Sequence, residues 1–279
     1  MKSWIHLVLA ALLFSACEKE IDLDLPPAPD ELVVEAYIND FNPFLNYVII
    51  THTVDYMNPD LSLPAVSGAL VYVTEGTVNG QDTVWNSNPV QLIEIASDTV
   101  PGVYFNPFLQ GTAGNVYRLD ITAGDKQVHG ITSIPLPIAI DSVQMKMTYA
   151  EDTTGLLTVF FFDPPERGNN YRMMYKLGGD SIFGSWGALN DGDVIRDDEF
   201  INGETWDFRY TREFALGDTI DYFLNSIDRS TYLFWDSFFS LRGNSGNPFA
   251  TPVQLKSNLQ GAIGCFSGFG VSYRRIVVK

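Results

Sequence analysis

The residues whose types and spacing could do chemistry lie mainly in one acidic run, DGDVIRDDEFINGE, residues 191–204. Closely spaced carboxylates are the ligand set of a hard cation such as Ca2+. Counted from Asp193, Asp197 and Glu204 stand at the fifth and twelfth places of an EF-hand loop. Ile195 and Asp198 stand at the third and sixth, where an acid and a glycine are needed, so that motif fails. Asp193, Asp197 and Glu204 remain candidate ligands of a looser Ca2+ loop. The other reading is a solvated acidic loop.

Aromatic rings are the second candidate chemistry. Trp85, Trp186 and Trp206 could each serve as a ligand platform or pack in a core. Trp186, in FGSWGALN, is the best placed, because Gly and Ser neighbours leave its ring accessible. Two histidines lie beyond the N-terminal apolar run, His52 in THTV and His129 in QVHG, and both read as ordinary strand residues. They make no cluster with zinc-ligand spacing. No G-x-S-x-G elbow and no Gly-rich phosphate loop after a strand is present. Cys265, in GAIGCFSGFG, reads as a small buried hydrophobe. No catalytic residues emerge, and the expectation is a protein that is not an enzyme.

The elements that must hold these residues are short runs of β-branched and aromatic residues broken by turn residues. ELVVEAYIN, NYVIITHTV, ALVYVTE, VQLIEIA, VYRLDITA and QVHGITS predict strands in a first region. NPF, MNPD, VNGQD and PG lie between them. SIPLPIAIDSV, residues 133–143, reads as a boundary, since alternating prolines do not fit a central strand. DSVQMKMTY, GLLTVFFFD, NYRMMYKL, ETWDFRYTR, DTIDYFLNSI and VSYRRIVV predict a second strand-rich region. One segment, residues 228–242, breaks the period-2 rhythm. Tyr232, Trp235 and Phe239 fall at helical spacing behind Asp228 as N-cap, which predicts one amphipathic helix. The expected fold is mainly β, with two β-sandwich-like regions over residues 31–134 and 138–279 and the helix in the second. SGALVYVTE, PGVYF and GNVYRLDIT give the first region a resemblance to immunoglobulin-like or transthyretin-like modules.

The N-terminus sets the expected location. Lys2 precedes the apolar run LVLAALLF, too short to span a bilayer as a stable anchor, and Ser15 and Ala16 lead to Cys17. This is the pattern of a lipoprotein signal peptide over residues 1–16, with Cys17 acylated and residues 17–30 as a tether. Several acyl chains make a stable anchor where one holds marginally. Lys19 and Glu20 follow, and a Lys with an acid just past such a cysteine resembles the surface-export signal of Bacteroidota lipoproteins. That resemblance implies attachment to the outer membrane, facing the medium. With 34 acidic residues against 17 basic ones, the net charge of −17 repels a phosphate backbone, so nucleic acid is not an expected partner.

Four stretches carry a wider resemblance: CEKEIDLDLP running into ELVVEAYIND, SGALVYVTE with GNVYRLDI, DPPERGNNYRMMY, and NPFATPVQLKSNLQGAIGCF. Together they resemble the Bacteroidota outer-membrane lipoprotein family designated domain of unknown function 4249. The resemblance implies a β-rich acylated protein, often encoded beside a TonB-dependent outer-membrane receptor. With the acylation site and the Lys–Glu signal, the expectation is an accessory to such a transporter that captures its substrate or caps it. The alternative is a structural, adhesin or assembly subunit without a soluble ligand.

Overall fold

The computed structural model describes residues 29–54, 65–96, 101–147, 153–178, 193–244 and 249–279. Cys17, Lys19, Glu20 and Trp186 lie outside them.

The chain is mainly β, as its alternating pattern predicts. In the first half the strands are β1 (Leu32–Asn39), β2 (Tyr47–His52), β3 (Leu70–Asn79), β4 (Asp82–Trp85), β5 (Val90–Glu94), β6 (Val103–Phe105), β7 (Val116–Ala123) and β8 (Lys126–Ser133). Then come β9 (Ser142–Met147), β10 (Thr154–Phe162), β11 (Asn170–Leu177), β12 (Val194–Asp197), β13 (Thr205–Ala215) and β14 (Thr219–Ile227). Helix α1 (Arg229–Asn244) precedes β15 (Leu259–Gln260) and β16 (Ile263–Val277). Among the described residues no helix is long and apolar enough to cross a membrane.

One large sheet runs in the order β12-β11-β14-β16-β1-β2-β6-β5-β3-β7-β8-β15, with β4 on β3. Its two halves are joined at β16, which pairs parallel with β1 through residues 263–269 and antiparallel with β14 through residues 269–277. The sheet turns back on itself, so that Val71, Val73, Leu119, Ile121 and Val128 pack on Leu32, Val34, Ala36 and Ile50. That is the first sandwich. In the second, a separate sheet in the order β13-β10-β9 lays Leu157, Val159 and Phe161 on Met173, Tyr175, Tyr222 and Leu224. The opposite face of β11, β14 and β16 is covered by α1 through Phe234 and Trp235. Complete burial of each such side chain contributes roughly 1.5–3 kcal/mol.

Asp228 caps α1 as expected. Its Oδ1 accepts from Thr231 N at 2.7 Å, and its Oδ2 accepts from Thr132 Oγ1 at 2.8 Å and Ser133 N at 2.9 Å. One carboxylate thus starts the helix and fastens it to the end of β8.

Three local expectations are corrected. The closing strand begins at Ile263, eight residues before VSYRRIVV. Two glycines in this strand allow close approach of another segment. A Cβ on Gly268 would stand 2.1 Å from Ser133 O, and one on Gly270 would stand 2.0 Å from Pro135 O. The proline-rich segment therefore crosses directly over the middle of β16. Second, β4 and β6 are strands beyond those predicted, both short pairings on longer neighbours. Third, part of the acidic run is a strand, β12, described below.

The chain joins this body at a fixed point. Asp30 accepts from Lys126 Nζ at 2.9 Å and lies 2.5 Å from His52 Nδ1. Lys126, then His52, hold the Asp30 carboxyl below its ordinary pKa.

Candidate functional site

The acidic run divides by function. Asp193 turns inward onto Arg172 of β11, a lone arginine in the apolar run NYRMMYKL. Arg172 Nε donates to Asp193 Oδ1 at 3.0 Å and Nη2 to Oδ2 at 2.6 Å, a bidentate pair with both side chains essentially sealed from solvent. The guanidinium carbon lies 3.6 Å from the centre of the Trp235 ring, and Trp235 Nε1 donates to Ser267 Oγ at 3.4 Å. Burial works against the Arg172 charge, and Asp193 more than offsets it, so its pKa lies above the ordinary value. This stack fixes β11, the start of β12, α1 and β16 to one another.

Val194–Asp197 then forms β12, paired antiparallel with β11. Asp197 accepts from Arg229 Nη1 at 3.2 Å. Asp198 is buried and accepts from the backbone N–H groups of Gly168 and Asn169 at 2.7 and 3.0 Å. Asp163 accepts from Tyr171 Oη and from Gly203 N, and burial raises its pKa. Asp163 and Asp198 thereby build the turn that carries Phe200. Glu204 is exposed, and its carbonyl accepts from Asp163 N. Asp193, Asp197 and Glu204 therefore do not converge, because the first two spend their charge on arginines. Among the described residues no group of three or more His, Cys, Asp or Glu is placed to hold a metal ion. The described part of the run forms a strand and a capped turn.

The same residues nevertheless border a cleft of about 850 Å3. Asp193 to Asp197 line it along β12, with Phe200, Ile201 and Trp206 on one side and Tyr232, Asp236 and Phe239 of α1 on the other. Trp206 is half-buried, held edge-on by Phe161 at 5.4 Å and Phe208 at 5.9 Å between ring centres. Arg229 lies 4.7 Å from the Tyr232 ring centre. The arrangement offers rigid aromatic faces and acids to a ligand, the usual makeup of a binding pocket. Trp206, Asp193 and Asp197 were legible as candidates. Phe200, Asp236 and the buried Arg172 were not. The one available signal was an arginine inside an apolar strand. Tyr232 and Phe239 are partly buried against the core beside Phe234 and Trp235, and also border the cleft.

Elsewhere, His129 Nδ1 lies 2.8 Å from Asp120 Oδ1, and Arg118 Nε donates to Asp120 Oδ2 at 2.8 Å. Ser230 shares a small pocket with His129, but its hydroxyl donates to Asp228 Oδ1. The acid–histidine pair is thus not joined to that hydroxyl. Trp85 lies under Arg118, 5.1 Å from ring centre to guanidinium. Cys265 is buried, and burial pushes its thiol up to about 12, which leaves it protonated and inert.

Residues 18–275 match the family described as Domain of unknown function (DUF4249). No curated protein matches the chain. The match spans nearly all of the sequence beyond the N-terminal apolar run, and the chain belongs to that family.

Proposed function

We propose that the protein is a lipid-anchored, non-catalytic binding protein of the outer-membrane surface. Cys17 carries the lipid and the Lys19–Glu20 signal directs the body to face the medium. In this reading it is an accessory to a TonB-dependent outer-membrane transporter and captures substrate in the β12–α1 cleft or caps the transporter. The observation that supports it most is the cleft of about 850 Å3, with Trp206, Tyr232 and Phe239 on fixed elements. The tether joins at the Asp30 clamp, and the body beyond it is rigidly paired.

The test is gentle detergent extraction of the tagged protein from its own outer membrane, followed by mass spectrometry. A stoichiometric TonB-dependent β-barrel is the expected companion. Purification alone, after cross-linking on intact cells, would sink the transporter role. A structural or adhesive role is the second reading. It is favoured by Phe44 and Phe108, exposed on two turns of the same sequence, Asn42–Leu45 and Asn106–Leu109.

A further inference from the structure

The cleft follows the outer edge of a strand, and that edge has a definite hydrogen-bonding sense. Asp198 N donates to Asn169 O at 3.1 Å, one step beyond the register pair Asp197 and Asn170. In an antiparallel pair, residues that exchange backbone bonds alternate with residues that do not. Arg196 and Val194 therefore bond to β11, while Ile195 and Asp197 turn their N–H and C=O groups outward. The Arg196 guanidinium confirms the direction, since its Nη1 donates to Ile195 O at 2.8 Å from the far side. Among the described residues β12 pairs with β11 alone.

The two faces of this edge differ. Ile195 belongs to the core under α1, and Val194 packs with the core under the three-stranded sheet. A strand laid along β12 would alternate its side chains between these faces. On one it would meet Tyr232 and Phe239, with the exposed Asp236 between them. On the other it would meet Trp206 and Phe200. Asp236 carries no ion pair among the described residues, and the whole chain has a net charge of −17.

Resting on the reading of the cleft as a binding site, we infer that its occupant is an extended peptide segment of a partner protein. The segment adds to β12 as a strand, with basic side chains toward Asp236 and apolar ones toward Trp206. The backbone bonds to Ile195 and Asp197 supply register, and the alternating pockets supply selectivity. Binding displaces the Arg196 guanidinium from Ile195 O.

The test uses the detergent-solubilised full-length protein and an acetylated, amidated hexapeptide of alternating Lys and Val. Amide hydrogen exchange is read at Ile195 and Asp197. The peptide is expected to slow both at least tenfold and to leave Arg196 unchanged. The same peptide N-methylated on the edge-facing amides should have no such effect, and Asp236→Lys should weaken binding about tenfold. Slow exchange at Ile195 and Asp197 without any peptide would mean that the edge is already paired within the chain, and the inference would fall. Equal binding of the methylated peptide would also overturn strand addition while leaving the cleft a binding site. If neither peptide binds but an oligosaccharide panel raises the melting temperature, the peptide inference alone fails. If nothing in either set binds, the reading of the cleft fails with it.

Discussion

Replacing Asp193 with alanine removes the only carboxylate paired with Arg172 among the described residues and leaves a guanidinium inside the protein. The side chains of this pair are 0% and 1% exposed, so the modest value of a surface ion pair does not apply. Breaking a buried pair by removing one partner costs about 3–5 kcal/mol. The Trp235 face stays 3.6 Å from the guanidinium and continues to hold part of the charge, which favours the lower half of that range. For a chain of this size, about 3–4 kcal/mol corresponds to a melting temperature lowered by roughly 6–16 °C. Differential scanning calorimetry of Asp193→Ala is the direct assay. The pair Asp193→Ala with Arg172→Met should recover most of the loss, because an apolar replacement of both partners leaves no bare charge. A melting temperature for the single variant within about 2 °C of the parent would refute the reasoning. So would a double variant as unstable as the single one.

Asp228→Ala should cost about 2–4 kcal/mol in urea unfolding, roughly 1 for the lost cap and the rest for the stranded partners Thr132 and Ser133. Loss of only the cap value would show that Oδ2 contributes nothing. Gly268→Ala should destabilise by about 3 kcal/mol or more, because Ser133 O cannot retreat from a Cβ at 2.1 Å without moving the crossing segment. An unchanged melting point would contradict that packing. Asp221, held below its ordinary pKa chiefly by Arg275, contributes stability that is complete above the unfolded carboxyl value of about 4 and is lost as pH falls through the lower folded value. Asp221→Asn should therefore flatten the acid side of the stability–pH curve below about pH 4. An identical acid limb would rule the contribution out.

The strands that carry the two cores were legible because their apolar residues alternate or run continuously, as in LVVEAYIN and TGLLTVFFF. The helix was legible from its N-cap and from the spacing of Tyr232, Trp235 and Phe239. β12 was not, because VIRD lies among acids and glycine and its strand character comes wholly from pairing with β11. The first half of β16 was hidden for the opposite reason. Its glycines look like turn residues, and only the close passage of Ser133 and Pro135 shows why a strand needs them. At the site, sequence spacing suggested that Asp193 and Asp197 share a cation. Asp193 instead precedes β12 and Asp197 ends it, and the partners that decide their chemistry, Arg172 and Arg229, come from β11 and α1.

The pairing of β1 with β16 also constrains when this protein can exist as a folded body. Val33 and Ile263 are partners although roughly 230 residues separate them. A chain made from its N-terminus therefore holds β1 as a bare edge until nearly the last residue has been added. Folding that waits on so distant a contact is slow. On the export route proposed above, slowness would keep the chain threadable. The exposed edge meanwhile makes a half-finished chain a target for chaperones and for aggregation. A truncation that removes only the last fifteen to twenty residues would strip both halves of their shared strand, leaving neither sandwich complete.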